Sequence, residues 1–278
     1  MFFMKKIILI AIFIFCLAAK ANAAPRYISL APSTTEILFA LGLDEEIIGV
    51  STFCNFPGQV KNRPKVGDFS SPNLERIISL KPDYIFCTGL EQAPVIWRLK
   101  ELNFKVYVAD PASFEELFKS IEEIAQITKR QDKARALIWQ MKSAVNEVAS
   151  KAKLIPNEKK VRVFLEIWHE PLMTAGKGSF VDELIFLSGG INIAHNTSRP
   201  YSNYSSEKVI SSNPQCIIMA YMDQEPPLRL VKQRFGWNKI EAVKNGRVFN
   251  DINPDILLRP GPRLILGLKQ LYKKFYPE

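Results

Sequence analysis

Short apolar runs alternate with helical patterns along the first half of the chain. Four runs predict β-strands: Tyr27–Leu30, Ile47–Val50, Tyr84–Cys87 and Val106–Val108. Between them, Ser33 with Glu36 has the spacing of a capping box, which marks a helix start. Ser113 repeats this pattern with Glu116. Such alternation of strands and helices is typical of a parallel sheet covered by helices.

The pattern changes in the middle of the chain. From about Lys129 to Lys153 the sequence has neither glycine nor proline. Apolar residues recur there at three- and four-residue steps: Ala134, Leu137, Ile138, Met141, Val145, Val148 and Ala152. This spacing predicts one long amphipathic helix. Its length and position favour a helix that connects two lobes over a surface helix of a single domain.

The second half returns to the alternation. Its predicted elements are strands at Val161–Ile167, Cys216–Met219 and Val248–Phe249, helices that begin at Ser179 and at Ser205 or Ser206, and a closing helix over Pro262–Phe275. We therefore predict an α/β protein: two parallel-sheet α/β lobes joined by a single long helix, with a ligand cleft between them. The predicted units are an N-terminal lobe over 24–128, the connecting helix over 129–155 and a C-terminal lobe over 156–278.

The first 23 residues predict a cleavable signal peptide. Two lysines precede the apolar run Ile7–Ala19, and Ala21–Ala23 fits the small-residue rule for cleavage. The run is too short to span a bilayer comfortably, although an uncleaved anchor is the alternative. Bulky residues before Cys16 argue against a lipoprotein signal. We therefore predict export to the periplasm of a chain that begins at Ala24.

The formal net charge of the 278-residue chain is +9, and three of its lysines belong to the predicted leader. The other basic residues are scattered, with no dense lysine or arginine tract, which is typical of a solvated surface. Together with the predicted export, this charge pattern argues against a nucleic-acid partner.

Three cysteines follow the leader, namely Cys54, Cys87 and Cys216. An odd number in an exported protein implies at least one free thiol or an intermolecular bridge. Cys54 and Cys87 both follow predicted strands, so a disulfide between them and two free thiols are both open. Cys216 lies in an apolar run and is predicted to be a buried small hydrophobic residue.

Enzyme motifs are absent from the sequence. It has no Gly-x-Ser-x-Gly elbow, no His-Glu-x-x-His and no glycine-rich phosphate loop. A nucleophile pair of Cys54 and His169 has no local signature. With only two histidines in the chain, the case for a site that binds a metal ion directly is weak. We therefore predict neither catalytic residues nor protein metal ligands.

Aromatic residues in predicted loops are candidates for the lining of a large, mostly apolar cleft: Phe53, Phe56, Trp168, Tyr201 and Tyr204. The alternative is that they plug the core beneath them. His169 follows a predicted strand closely, where open α/β sheets bind ligands. It is therefore a pocket wall, a contact to a metal complex, or a surface-loop residue.

Polar groups near two helix starts are the other candidates. The helix start at Ser33 offers free backbone N–H groups to an amide, carboxylate or phosphate oxygen. Asp255 and Arg259 stand four residues apart before the closing helix. They either pair with each other or hydrogen-bond polar groups of a ligand.

Several stretches carry a family resemblance: Pro25–Glu36, Asn73–Asp83, Val163–Glu166, Thr174–Lys177, Ser205–Ile210 and Asp255–Arg263. Through them the mature chain resembles, over essentially its full length, the periplasmic binding proteins of cobalamin and iron-siderophore ABC importers, and most closely the cobalamin-binding members. The resemblance implies two α/β lobes with limited hinge motion and a corrinoid held edge-on between them.

Position by position, the resemblance implies ligand contacts. Ser33 and Phe53 stand at contact positions of the first lobe, where the cobalamin-binding members have a small residue and a tyrosine. Tyr201 stands where they have a tryptophan. Asp255 and Arg259 match an acidic and a basic contact to the polar periphery of the ligand.

Thr88 departs from this pattern, because the cobalamin-binding members have a large tryptophan after the third strand. One wall of the pocket is then either missing or supplied by another residue, such as Trp168 or His169. The departure leaves the ligand open between cobalamin, a precursor such as cobinamide, and another metal chelate.

The resemblance also implies docking positions. Glu207 matches the glutamate of the second lobe that docks onto an arginine of the membrane permease, and Glu91 is its counterpart in the first lobe. We therefore predict a monomeric binding protein, without a resident cofactor, that delivers cobalamin (vitamin B12) or a related corrinoid to the permease dimer of an ABC importer. The alternatives are a ferric-siderophore or haem receptor of the same family, and an enzyme or sensor on the same fold.

Overall fold

The computed structural model describes residues 24–89, 92–222 and 227–277. The predicted signal peptide and Glu91 lie outside these residues. Within them, the framework is a pair of β-sheets with helices packed around them, which confirms the predicted α/β class.

The first sheet has four parallel strands in the order β2-β1-β3-β4. They are β1 Tyr27–Ser29, β2 Ile47–Val50, β3 Tyr84–Cys87 and β4 Val106–Val108, which are the predicted strands to within one residue. Side chains alternate between two apolar clusters, since Tyr27 faces one cluster and Ile28 the other. Both faces are therefore buried, as is usual for parallel sheets.

Among the described residues, this lobe has four α-helices: α1 Pro32–Ala40, α2 Leu74–Leu80, α3 Ala93–Glu101 and α4 Phe114–Thr128. The capping box predicted at Ser33 is wrong, because α1 begins one residue earlier and its N-cap, Ala31, has no side-chain bond. The helix start predicted at Ser113 is confirmed, since its Oγ accepts the N–H of Glu116 at 3.2 Å.

A helix of 23 residues, α5 Gln131–Lys153, carries the chain from the first lobe to the second. Its buried positions are Ala134, Ile138, Met141, Val148 and Ala152. These positions follow the spacing read from the sequence, so the long amphipathic helix is confirmed.

The second sheet has six strands and is mixed, whereas the sequence predicted a parallel sheet. Its strands are β5 Arg162–His169, β6 Leu172–Ala175, β7 Ile191–Asn192, β8 Tyr201–Asn203, β9 Cys216–Met219 and β10 Val248–Phe249. The path β10-β9-β5 is parallel, but β6 runs antiparallel to both β5 and β8. The two residues between β5 and β6 are too few for the crossover that a parallel pair needs.

Strand β5 extends two residues beyond the predicted Ile167. Trp168 and His169 therefore lie in the strand and not in a loop, because they pair with Met173 and Leu172 of β6. Tyr201, which was also predicted to lie in a loop, begins β8.

The second lobe contains six further helices: α6 Phe180–Leu187, α7 Ser206–Ser212, α8 Arg229–Gln233, α9 Glu241–Lys244, α10 Asp255–Leu258 and α11 Leu264–Phe275. Ser179 and Ser205 cap α6 and α7 as predicted. The closing helix begins two residues later than the predicted Pro262. Among the described helices, none combines the length and the apolar character that crossing a membrane requires.

One apolar core joins the two lobes. It contains residues of both sheets and the buried faces of α4, α5, α6 and α11. At the junction, the Phe114 ring packs edge-on against Phe180 with the ring centroids 5.9 Å apart. The N–H of Phe114 also donates to Glu183 Oε2 at 2.9 Å. A close-packed core shared in this way limits the relative motion of the lobes.

The three cysteines that the structure describes are free and buried. Cys54 and Cys87 lie in the two apolar clusters on opposite faces of the first sheet, so the disulfide left open above does not form here. Cys216 is fully buried, as predicted. Burial raises the pKa of the Cys87 and Cys216 thiols to about 12, which keeps both protonated and unreactive near neutral pH.

Gly267 lies where α11 packs on α10, and a β-carbon there would be 2.1 Å from the carbonyl oxygen of Ile256. Gly267→Ala should therefore lower the free energy of unfolding by about 1–3 kcal/mol, although alanine favours a helix over glycine by about 1 kcal/mol. Urea unfolding measures the change, with Leu266→Ala at the exposed neighbouring position as the control. A variant as stable as the wild type would contradict the close packing of these helices.

Candidate functional site

A cleft of about 410 Å³ lies between the lobes. Its lining residues are Pro32, Ser33, Phe53, Asp68, Phe69, Ser70, Thr88, Met222, Leu258, Arg259 and Pro260. The first wall follows the carboxyl ends of β1, β2 and β3, where open α/β sheets bind ligands. Four predicted contacts lie in this lining, namely Ser33, Phe53, Thr88 and Arg259.

A buried glutamine organises the wall of the first lobe. Gln92 is fully buried, and its Nε2 donates to the carbonyl oxygens of Leu30 at 3.1 Å and Phe69 at 2.7 Å. Its Oε1 accepts the N–H of Thr88 at 2.9 Å. Gln92 thus holds in place the segments after β1 and β3 and the loop that carries Phe69, whose ring meets Phe53 edge-on with the centroids 6.4 Å apart. The sequence analysis missed Gln92, because two of its partners lie 23 and 62 residues away.

Four charged residues form what we call the inter-lobe charge cluster: Glu36, Asp255, Arg259 and Arg263. Arg263 joins the lobes directly, since its Nε donates to Glu36 Oε2 of α1 at 2.8 Å and its Nη2 donates to Oε1. Arg259 Nη2 lies 2.9 Å from Asp255 Oδ1. Two guanidinium groups therefore balance two carboxylates.

Arg259 is only 8 % exposed and uses its guanidinium within the protein. Besides pairing with Asp255, it donates from Nη1 to Asn55 Oδ1 at 2.6 Å, across the lobe boundary. The pairing of Asp255 with Arg259, one of the two alternatives above, is therefore observed. Arg259 also lines the cleft, whereas Asp255 lies outside its lining. Asn55 was missed, because nothing in the local sequence links it to a residue 204 positions away.

Burial and ion pairing shift the pKa values of this cluster in opposite directions. Burial raises the pKa of Glu36, and the hydrogen bonds and charge of Arg263 hold back part of that rise. Burial also lowers the pKa of Arg263, but the hydrogen bonds and charge of Glu36 outweigh this effect and leave it raised. Arg263 therefore stays cationic, and the charge of Glu36 depends on it.

The structure does not bring Phe56 into the cleft. Its ring lies beneath the guanidinium of Arg263, whose Cζ is 3.9 Å from the ring centroid. Phe56 lines a separate recess of about 370 Å³ together with Asp44 and Gln59. It therefore supports the inter-lobe charge cluster through a cation–π contact.

Trp168 and His169 form an aromatic cluster with Tyr221. The ring centroids of both residues lie 5.6 Å from that of Tyr221, and His169 stacks on it with an interplanar angle of 17°. The three rings lie outside the cleft lining, and Met222, the residue after Tyr221, belongs to it. Within the described ranges, His169 Nδ1 is buried without a hydrogen-bond partner, and no group of three or more His, Cys, Asp or Glu side chains is arranged to hold a metal ion.

The aromatic cluster is hydrogen-bonded to a buried carboxylate through Tyr221. Glu166 is fully buried on β5 and accepts a hydrogen bond from the hydroxyl of Tyr221. Arg234 completes the site, since its Nη1 and Nη2 donate to the two carboxylate oxygens at 2.6 and 2.7 Å. The sequence analysis quoted Glu166 for its resemblance but did not identify this contact.

Tyr201 lies outside the cleft lining. Burial raises the pKa of its hydroxyl, and the negative charge of Asp110 raises it further. Asp110 belongs to the first lobe and accepts a hydrogen bond from Thr88 Oγ1 at 3.3 Å. Tyr201 of the second lobe therefore lies within electrostatic reach of the residue that Thr88 binds.

Of the two predicted docking residues, the structure describes Glu207. It is exposed in the first turn of α7, the helix that Ser205 caps through a 3.2 Å bond from the N–H of Lys208. A carboxylate at a helix N-terminus is favoured by the helix dipole. Glu207 thus projects from a short but well-capped helix.

Two α/β lobes that are joined by one long helix and flank a cleft at the strand ends define a two-lobe solute-binding protein. The chain belongs to the periplasmic binding protein family, whose sequence model matches residues 28–253. This confirms the resemblance stated above. The family serves transport, so the chain is a substrate-binding protein of the ABC importer type and not an enzyme.

Individual relatives agree with this assignment. The chain is 36 % identical to an ABC transporter substrate-binding lipoprotein of Bacillus subtilis (strain 168), over 91 % of this chain and 80 % of the relative. It is 32 % identical to the vitamin B12-binding protein of Salmonella paratyphi A, over 90 % of this chain and 89 % of that relative. The crystal structure of a possible iron-binding (periplasmic solute-binding) protein from Staphylococcus epidermidis superposes with a TM-score of 0.80 at 32 % identity, over 90 % and 98 %.

Glu36→Gln removes the carboxylate that balances Arg263 and leaves a guanidinium whose side chain is only 14 % exposed without its bidentate partner. We expect the free energy of unfolding to fall by about 3 kcal/mol. The control is Glu122→Gln, at an exposed position of α4, which should change it by less than about 0.5 kcal/mol. Equal stability of the two variants in urea unfolding would mean that the cluster does not hold the lobes together.

Proposed function

We propose that the protein binds cobalamin or a related corrinoid in the inter-lobe cleft and delivers it, as a monomer, to the permease dimer of an ABC importer. The charge balance of the cleft carries this proposal. Among the described lining residues, Arg259 is the one cation, and its guanidinium is already bound by Asp255 and Asn55. The described part of the lining therefore offers no free positive charge to a ligand.

A cleft of this kind suits a neutral ligand better than an anionic one. Ferric siderophores with several negative charges, and the propionates of haem, need arginine or lysine groups that offset their loss of hydration. The other charged lining residue is Asp68, which is itself negative and accepts hydrogen bonds from the N–H and Oγ of Ser70. Asp68 therefore adds repulsion against an anion.

Apolar side chains form most of the remaining surface: Pro32, Phe53, Phe69, Met222, Leu258 and Pro260. They would bury the faces of a large, flat ligand held edge-on. The hydroxyls of Ser33 and Thr88, which also line the cleft, would hydrogen-bond amide groups at its edge. Predominantly apolar walls with a few polar groups are the usual composition of a ligand site.

The relatives support this choice in part. The identity to the vitamin B12-binding protein favours a corrinoid, and the lipoprotein relative shows that a membrane-attached form occurs among similar proteins. We propose that this chain is exported through a cleavable signal peptide and acts in the periplasm, with no cofactor of its own.

A ferric-siderophore or haem receptor is the second candidate, and one observation favours it. His169 Nδ1 is buried without a hydrogen-bond partner among the described residues, and its ring stacks on Tyr221, the residue before Met222 of the cleft lining. An imidazole nitrogen without a partner is a potential ligand for the metal of a bound chelate. The absence of a free cation in the lining weighs against this candidate.

Calorimetric titration of residues 24–278 tests the ligand, with cyanocobalamin, cobinamide and a ferric siderophore in parallel. We expect one-to-one binding of cyanocobalamin at micromolar affinity or tighter and little heat from the siderophore. Phe53→Ala should weaken cyanocobalamin about tenfold, because it removes an aromatic wall. Binding of the siderophore alone would overturn the corrinoid assignment. Haem is titrated as a fourth ligand, and silence with all four would overturn both candidates.

Glu207→Arg tests delivery. Reversing this exposed charge should abolish stimulation of the importer's ATPase and leave ligand affinity unchanged, since rim charges set register and on-rate. Glu122→Arg, at an exposed position of α4, is the matched control and should retain stimulation. A parallel loss of ligand affinity in Glu207→Arg would show that the residue acts on the cleft and not on docking.

A further inference from the structure

The Phe235 side chain is 98 % exposed, the largest exposed fraction among the large apolar residues of the described chain. It stands between Arg234 and Gly236, in the turn that follows α8. A phenylalanine left wholly in water gains nothing for the fold, because its apolar area is not buried. Exposure alone assigns no role to a single apolar side chain, so the fixed backbone of Phe235 and its position carry the case for a partner.

The turn that carries Phe235 is held on both sides. Arg234 is bound bidentately to the buried Glu166, and its guanidinium Cζ lies 4.4 Å from the ring centroid of Trp237. Gly236 has φ +79°, and a β-carbon there would be 2.9 Å from Ile210 Cδ1. Phe235 is thus presented by a fixed backbone, which lowers the entropy lost when a partner buries it.

Two contacts locate this turn on the rim of the second lobe. Tyr221 and Arg234 bind the same carboxylate of Glu166, and the residue after Tyr221, Met222, lines the cleft. Phe235, the residue after Arg234, therefore lies at the same end of the lobe as the cleft.

The same turn also touches the helix that carries the proposed docking charge. Gly236 packs on Ile210 of α7, and Glu207 lies one helical turn before Ile210. Phe235 thus lies on the surface that connects the cleft rim with Glu207.

We propose that Phe235 is an aromatic docking residue that inserts into an apolar recess of the importer's permease. This inference rests on the proposed delivery function. A permease that receives the ligand must cover the mouth of the cleft, and the exposed rim beside that mouth is then buried. Aromatic side chains are enriched at the energetic centres of such interfaces. In this arrangement, Glu207 supplies orientation and Phe235 supplies apolar contact.

The test is the affinity of the full mature protein for the importer complex reconstituted in nanodiscs, measured by biolayer interferometry. Phe235→Ala should weaken docking about tenfold or more and leave the calorimetric affinity for cyanocobalamin unchanged. Phe186→Ala is the matched control: Phe186 is 71 % exposed on α6, beside Lys160 at the opposite end of β5. It should dock like the wild type.

The other outcomes separate this inference from the function on which it rests. If Phe235→Ala docks with the affinity of the wild type while Glu207→Arg no longer docks, the role of Phe235 is overturned and the proposed delivery function stands. If the wild-type protein does not dock, both the role of Phe235 and the proposed delivery function are overturned. Binding to importer-free nanodiscs that is lost in Phe235→Ala would assign the residue to a lipid surface. A wild-type dimer that Phe235→Ala dissociates would assign it to a second copy of the chain.

Discussion

The ion pair between Glu36 and Arg263, which lie 227 residues apart, is the contact on which the arrangement of the two lobes depends. Charges buried this deeply persist only when they are paired. The pair therefore fixes the segment Asp255–Arg263 against α1 of the first lobe. Because Leu258 and Arg259 of that segment also form a wall of the cleft, the contact that joins the lobes shapes the ligand site as well.

The way in which the two lobes are connected affects how the protein binds its ligand and how a permease can recognise it. The shared core and the charge cluster restrain the lobes, so binding involves a largely preorganised cleft, which reduces the entropy lost on association. A receptor that closes little gives its transporter only a small change of shape to detect. Recognition by the permease would then rely on fixed surface features, which is the role proposed above for Glu207 and Phe235.

The sequence predicts the parts of the structure that have local causes. The strands of the first sheet, the helix α5 and the caps at Ser113 and Ser179 follow from apolar spacing and hydroxyl placement within a few residues. Long-range contacts leave no such signal, which is why Gln92 and Asn55 were missed. Phe53 and Phe56 show the limit most clearly: the two aromatic residues are three positions apart, yet one lines the cleft and the other packs beneath Arg263.

The dependence of cyanocobalamin affinity on ionic strength tests the central claim most directly, namely that the described cleft lining offers no free positive charge and takes a neutral ligand. Between about 0.01 M and about 1 M salt, the Debye length falls from about 30 Å to about 3 Å. The account predicts one-to-one binding whose Kd changes less than about twofold over this range. A Kd that rises steeply with salt would contradict it, because Arg259 would then be acting as a free cation toward an anionic group.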